Sequence, residues 1–301
     1  MTGIRIPTAS GGVLIAALLG APTTSVAQAI CSAPHSSPTL IQSGSMRTLP
    51  AGAGWLQVSV YRQRSDESFN HLGDRQPFLA NGAFDTRSAF VTGAVGLFRG
   101  VEFWAQVPVH NLAADAAGQS STTTGVGDIR LAGRFGSELL GLSIPLALRA
   151  GVKVPGSEFP VDATALPLTE GQLDFETSLE SGSTIGMLPL YIMGWVGYRL
   201  RTENVEAARK PGDEAYAHLA LGAFTNDLIF ELAADGLWGR APEAQGVPLN
   251  GERRRLLQLI PTVGYELGVG RLEFTSQVPV YGRSLPSGVG ISIGYRFAWG
   301  L

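Results

Sequence analysis

The last fourteen residues of the chain, Gly288–Leu301, read GVGISIGYRFAWGL and alternate strictly between two kinds of side chain. Every second residue from Val289 to Leu301 is apolar, and the residues between them are glycine, serine, alanine or arginine. Strict alternation places the two sets on opposite faces of one β-strand. A continuous apolar face, with aromatic residues near the strand end and small or charged residues opposite, is typical of a barrel wall in contact with lipid.

The same stretch resembles the C-terminal assembly signal of bacterial outer-membrane barrels, which ends in alternating apolar and aromatic residues. The last residue here is Leu301, where that signal usually has an aromatic residue. The resemblance implies two partners: the barrel-assembly machinery, which would recognise the C-terminal strand, and outer-membrane lipid.

The N-terminal residues have the features of a secretory signal peptide. Arg5 precedes a short apolar run, GGVLIAALLGA at residues 11–21, and an A-x-A cleavage motif ends at Ala29. The apolar run is too short to span a bilayer as a helix. Cys31 is the only cysteine in the sequence, so no intramolecular disulfide is expected. We predict a signal peptide at 1–29, a flexible mature N-terminus at 30–53 and a barrel at 54–301.

Eleven further segments alternate like the last one, and turn residues separate them. The predicted strands are 54–64, 86–97, 101–110, 125–135, 142–154, 173–183, 188–201, 215–224, 228–238, 254–267, 271–281 and 289–299. No stretch after the signal peptide has the roughly 18 uninterrupted apolar residues of a spanning helix, and only helices and closed barrels satisfy every backbone group in lipid. The fold class is therefore all-β: a transmembrane antiparallel up-and-down barrel of about 12 strands, of the bacterial outer-membrane type.

The connections between the predicted strands support this topology. Short turns follow the even-numbered strands and longer loops follow the odd-numbered ones. Outer-membrane barrels have short periplasmic turns and longer extracellular loops.

The charged face of each strand is predicted to point inward. Arginine or lysine on the lipid face costs roughly 2–4 kcal/mol at the bilayer midplane, so the lumen takes the charges. Interior aromatic residues are expected at Trp104, Tyr191, Trp195 and Tyr281. The predicted pore-lining residues are Glu102, Trp104, Gln106, Asp128, Arg130, Arg134, Arg149, Lys153, Asp174, Glu176, Glu180, Trp195, Arg199, Glu273 and Arg296. Two interpretations stay open: these charges pair across the lumen, or they set up a transverse field along a narrow pore.

A few residues mark the two ends of the predicted barrel. Six charges fall on the apolar face next to the long loops, where arginines either bind lipid phosphates or are simply solvated. They are Arg62, Arg64, Asp85, Arg87, Arg253 and Arg255. An aromatic girdle is predicted at the opposite end, comprising Phe103, Phe135, Tyr265, Phe274, Phe297 and Trp299. Pro108 and Pro279 predict bulges, because proline cannot donate to the strand ladder.

Enzymatic and metal-binding patterns are weak in this sequence. The histidines His35, His71, His110 and His218 are far apart and lack metal-ligand spacing, and no serine lies at a recognisable offset from His110 or His218. The formal net charge of −3 does not favour nucleic acid as a partner. We predict no enzyme activity, no cofactor, no metal site and no nucleic-acid partner.

One region resembles a known family. GVGDIRLAGRF at residues 125–135 is similar to the G-[LVI]-G-D strand motif of the outer-membrane family associated with the meta-pathway of phenol degradation. LALRAGVKVP at 146–155 and GQLDF at 171–175 resemble that family's next strand and the start of the one after, and the preceding FWAQVPV also fits. The family's K-x-P-T-G motif is Lys153-Val154-Pro155-Gly156 here, without the threonine.

The resemblance implies a transporter of hydrophobic or aromatic compounds in the bacterial outer membrane. The expected function is passive uptake of small hydrophobic or aromatic solutes through the barrel. One alternative is a closed structural or adhesive barrel that acts through its extracellular loops. Another is a barrel enzyme that hydrolyses lipid.

Overall fold

The computed structural model describes residues 47–78, 81–116, 119–160 and 165–300. The predicted signal peptide, Cys31 and the last residue, Leu301, lie outside these ranges. Among the described residues, no helix combines the length and hydropathy needed to cross a bilayer.

The described chain is almost entirely antiparallel β-structure. Thirteen strands form one closed sheet, and two of them are successive segments of a single broken strand, so the barrel has twelve strands. These are β1 (Gly54–Ser65), β2 (Ala83–Phe98), β3 (Val101–Ala116), β4 (Gln119–Val126 and Ile129–Gly136), β5 (Leu146–Val154), β6 (Asp174–Thr184), β7 (Leu190–Arg201), β8 (Glu214–Thr225), β9 (Leu228–Gly239), β10 (Arg255–Leu267), β11 (Gly270–Arg283) and β12 (Gly290–Trp299). Each strand pairs with its neighbours in sequence, and β1 closes the barrel against β12. The predicted fold class is confirmed.

Two prolines explain the irregular points of the sheet. Pro108 on β3 cannot donate a hydrogen bond, and β4 breaks opposite it, where the Gly127 amide donates to the Pro108 carbonyl at 3.1 Å. The register between β10 and β11 shifts at Leu257 and Gln258, next to Pro279. Both bulges expected from the prolines are present.

The two faces of the wall differ as predicted. Outward side chains are mainly apolar and exposed, as at Val60, Leu179 and Ile293, whereas the buried interior is rich in charged groups. The six residues of the predicted aromatic girdle are all outward and exposed. Because burying a charge in hydrocarbon is costly, this arrangement requires lipid outside and polar groups inside.

Three details of the prediction are wrong. Strand β3 continues to Ala116 and β4 begins at Gln119, and the two pair along the stretch that was predicted to be a loop between residues 110 and 125. Strand β5 begins at Leu146 rather than at residue 142, because Ser137–Leu140 forms a 3-10 turn that ends at Gly141 in the left-handed region. Tyr281 was expected inside the barrel, but its side chain is exposed on the outside. The bulge beside Pro279 adds one residue to β11, and one extra residue reverses the face of every side chain beyond it.

The loops carry short β-pairings of their own. Glu67–Phe69 pairs with Arg75–Pro77 and with Leu285–Pro286, joining the first and last extracellular loops. Glu243–Ala244 pairs with Arg209–Lys210 and with Val247–Pro248. Asn250–Glu252 forms a second 3-10 turn. Backbone hydrogen bonds between loops therefore order the extracellular end.

Candidate functional site in the barrel interior

The fifteen residues predicted to line a pore all point into the barrel. Fourteen of them are buried and Glu176 is partly buried. Their side chains lie in two ion-pair networks and around cavities, so the interior is largely filled by protein at the level of the networks. The charge pairing expected on neighbouring strands is present.

The outer network is centred on Lys153 of β5. Its Nζ lies 3.0 Å from Asp128, 2.7 Å from Glu170 and 2.9 Å from Asp174. Arg201 pairs with Glu170 and joins this group to Glu214 at 3.4 Å. The network contains the bases Arg130, Lys153, Arg199, Arg201 and Arg254 and the acids Asp128, Glu170, Asp174, Glu176 and Glu214. Since bases and acids are equal in number, this part of the interior carries no net charge.

Glu170, like Arg201, Glu214 and Arg254, is a member of this network that is absent from the predicted pore-lining residues. Glu170 belongs to the extracellular loop between β5 and β6 and not to a strand. The alternation of side chains along strands therefore could not predict its inward position. Burial alone would raise the pKa of Glu170, but Arg201, Lys153 and Arg254 outweigh that effect and lower its pKa to about 2. The carboxylate is therefore ionised and ties the loop to the barrel wall.

Apolar contacts hold the same loop inside the barrel. Leu166 and Leu168 are buried in a cluster with Tyr61, Phe90 and Leu112 of β1, β2 and β3. The Leu166 amide also donates to the Thr123 hydroxyl at 3.0 Å. The loop therefore folds inward and covers part of the lumen.

An N-terminal segment, residues 47–53, occupies the periplasmic end of the barrel. The Leu49 amide donates to Glu102 at 3.1 Å, and the Thr48 amide donates to Glu138 at 3.0 Å. Leu49 is buried against Trp55 and Trp104. These residues belong to the predicted flexible mature N-terminus; its earlier part, residues 30–46, lies outside the described chain.

The second ion-pair network lies beside this segment. Arg134 pairs with Glu180 at 2.7 Å and with Glu102 at 3.3 Å, and Arg149 pairs with Glu180 at 2.6 Å. Arg134 also donates to the Arg47 carbonyl at 3.2 Å. Burial would raise the pKa of Glu138, but hydrogen bonds from Thr48 lower it, so its carboxylate is an anionic anchor for the segment.

A central cavity of about 90 Å³ lies between these filled regions. Much of its wall consists of hydroxyl and amide side chains, and Tyr61 and Phe90 contribute aromatic surface. The polar groups include Gln57, Ser59, Thr92, Gln106, Thr262 and Gln277. Because Tyr61 and Phe90 also contact the inward loop, that loop packs directly over the cavity.

The charges in the central cavity are mainly negative. Three acids, Glu231, Asp235 and Glu273, line it with one arginine, Arg296. Arg296 pairs with Glu273 at 3.1 Å. Acidic side chains therefore outnumber arginines in the cavity wall, which favours neutral or cationic solutes over anions.

One polar cluster in this wall was not predicted. His218 of β8 is hydrogen-bonded through Nδ1 to Asp235 of β9, and its ring stacks on Trp195 with centroids 3.7 Å apart. Trp195 was predicted in the interior. Its stacking on His218 was not predicted, because this contact depends on the register between β7 and β8.

A separate outer cavity of about 50 Å³ opens among the extracellular loops. Arg201, Glu214 and Arg254 of the outer network line it together with Arg209 and Arg240. A solute entering from outside would meet this charged cavity first.

A serine–histidine contact also occurs in the interior. The Ser88 hydroxyl lies 2.7 Å from Nδ1 of His110, although no serine partner was recognisable for this histidine from sequence spacing. Both residues are buried, and within the described chain Nε2 of His110 has no hydrogen-bond partner. The acid that orients the histidine in a catalytic triad is therefore missing from the described residues. Those residues also contain no group of His, Cys, Asp and Glu arranged to hold a metal ion.

Comparisons with known proteins give the same architecture. No protein-family model and no curated protein matches the sequence, so the resemblance to the phenol meta-pathway family stays a prediction. The COG4313 outer membrane channel from Pseudomonas putida F1 has a TM-score of 0.69 at 14% identity, over 84% of this chain and 98% of that chain. The CymD monoaromatic hydrocarbon channel has a TM-score of 0.43 at 7% identity, over 83% and 89% of the two chains.

At these identities the likeness concerns the fold alone. The apolar exterior and the closed twelve-strand sheet independently require a bilayer around the barrel. The chain is therefore an outer-membrane-type β-barrel, and its location is the bacterial outer membrane.

Proposed function

We propose that the protein is a channel for passive passage of small aromatic compounds across the outer membrane. The observation that supports this proposal is the central cavity, which lies inside the wall and is lined by aromatic rings together with hydroxyl and amide groups. The outer cavity among the loops supplies an entrance on the extracellular side.

The cavity wall favours a particular kind of aromatic compound. Tyr61 and Phe90 offer ring surfaces, and the surrounding hydroxyl and amide groups offer hydrogen bonds. A pure hydrocarbon would leave those polar groups without partners, which costs free energy. We infer that neutral aromatic compounds with hydroxyl or amino groups pass most readily, and that anions are disfavoured by Glu231, Asp235 and Glu273.

Liposome swelling with solutes of matched size tests this proposal. Thr275→Trp would fill the central cavity and should slow entry of a hydroxylated or amino aromatic at least several-fold. Val263→Trp is the matched control, because Val263 faces lipid and its side chain is exposed. If T275W and V263W admit the solute at the same rate, passage does not use this cavity.

The alternative is a closed structural or adhesive barrel. Residues 47–53 and the inward loop occupy much of the interior, which is the observation in its favour. Swelling assays that detect no entry of any small solute, with folded protein confirmed in the vesicles, would support this alternative and refute the channel.

A further inference from the structure

Arginines gather on the lipid-facing side of the barrel at its extracellular rim. Arg62 and Arg64 lie on β1 and Arg87 lies on β2, and all three are exposed. Arg255 on β10 and Arg283 on β11 also point outward. We call the first three the β1–β2 arginines and the other two the β10–β11 arginines.

The sheet register brings like charges directly opposite each other in both groups. Arg62 is the cross-strand partner of Arg87, and Arg255 is the cross-strand partner of Arg283. Like charges in this position destabilise a sheet. An anion bound between each pair would remove that repulsion.

Few acids are present to supply such an anion. Asp85 pairs with Arg62 at 2.8 Å and lies 3.4 Å from Arg87, which leaves the β1–β2 arginines with a net positive charge. Within the described chain, neither Arg255 nor Arg283 has a carboxylate at ion-pair distance. The nearby Glu252 pairs instead with Arg209 at 3.0 Å.

Aromatic side chains mark the level of the β10–β11 arginines in the membrane. Trp238 is the cross-strand partner of Arg255 and is exposed to the outside. The Tyr281 hydroxyl accepts a hydrogen bond from Arg283 Nε at 2.6 Å. Outward tryptophan and tyrosine occur where lipid headgroups meet hydrocarbon, so these arginines lie at headgroup level.

The opposite side of the barrel has no such feature among its described residues. There the outer ends of β6 and β7 carry Phe175 and Leu200, which are cross-strand partners and are both exposed. Among the described barrel strands, lipid-facing arginines at the extracellular rim therefore occur only on β10, β11, β1 and β2.

We propose that the β1–β2 and β10–β11 arginines bind phosphate groups of the phosphorylated glycolipid that forms the outer leaflet. Guanidinium groups donate paired hydrogen bonds to phosphate oxygens, and these bonds are strong at a partly dehydrated surface. Following the register from Arg62 through Ile291 to Ser276 and then along β11 puts Arg283 roughly 25 Å from Arg62. The two arginine groups are thus two neighbouring lipid sites.

Native mass spectrometry of the folded protein in zwitterionic detergent tests the proposal. The probes are bisphosphorylated lipid A and the same lipid after removal of both phosphates. The wild type should retain the bisphosphorylated lipid, and R255Q/R283Q and R62Q/R87Q should each retain about tenfold less at a fixed lipid concentration. The dephosphorylated lipid should bind all forms equally weakly.

Matched controls distinguish phosphate binding by these arginines from a general effect of lost charge, misfolding or bound metal. Arg99→Gln removes an exposed arginine from the β2–β3 turn at the periplasmic end and should leave lipid retention unchanged. Heat-dependent migration on gels confirms that each variant is folded. Equal retention of the two lipids, unchanged retention by both double variants, or complete loss of binding when EDTA removes divalent cations would overturn the proposal. The last result would mean that metal ions, and not arginines, hold the phosphates.

Discussion

Replacing Lys153 with methionine tests the energetic role of the outer ion-pair network. The Lys153 side chain is 1% exposed and lies within 3.0 Å of three carboxylates. After the change, Glu170 keeps Arg201 and Arg254, and Asp174 keeps Arg201 at 3.4 Å. Among the described residues Asp128 has no other cation at ion-pair distance, so one buried carboxylate loses its partner.

The size of the effect follows from that single unpaired charge. Removing one partner of a buried ion pair costs about 3–5 kcal/mol of unfolding free energy. The double variant K153M/D128N removes the unpaired charge as well and should recover at least half of the loss. Arg62→Met is the control at the rim, since the Arg62 side chain is 58% exposed and surface pairs contribute about 0–1 kcal/mol.

Equilibrium urea unfolding in lipid vesicles, followed by tryptophan fluorescence, measures these free energies. We expect the free energy of unfolding to decrease in the order wild type, R62M, K153M/D128N and K153M. A loss for K153M no larger than that for R62M, with no recovery on adding D128N, would show that water solvates the network.

Three further predictions concern the periplasmic segment, the inward loop and one glycine. Deleting residues 47–52 should raise single-channel conductance in planar bilayers, because the segment fills the periplasmic end; unchanged conductance would contradict this. The pKa of Glu170 is depressed to about 2. The ionised Glu170 side chain therefore stabilises the folded state by about 3 kcal/mol above about pH 4.5, and this contribution is lost as pH falls towards 2. Unfolding curves of wild type and E170Q should therefore converge on acidification, and a difference that persists at pH 2 would refute this. Gly127→Ala should cost about 1–3 kcal/mol in urea unfolding, since its Cβ would collide with the His110 ring, whereas Gly251→Ala, with open space around it, should be neutral.

Alternation along the chain was sufficient to predict the barrel. The lipid-facing side of each strand can be predicted from that strand's own residues, because the side-chain period is two residues and a charge in hydrocarbon is costly. For the same reason the inward direction of residues such as Arg134, Asp174 and Glu273 could be predicted without knowing their partners. The signal peptide, the mature N-terminus upstream of residue 47 and the choice of solute stay predictions.

Alternation failed where one residue changed the local register. Tyr281 was expected inside and lies outside, because the bulge beside Pro279 reverses the faces beyond it. The proline was visible in the sequence. The residue at which the bulge would insert was not, since it depends on the pairing with β10.

The sequence by itself determined the number of strands, their order and, away from bulges, which side of the wall a strand residue faces, because those properties depend on neighbours along the chain. The tertiary structure alone decided which groups meet inside. Glu170 reaches Lys153 because a loop folds inward, and Leu49 reaches Glu102 because the N-terminal segment enters the barrel. Such contacts join residues that are distant in sequence, and their geometry depends on barrel closure and strand register rather than on any local pattern.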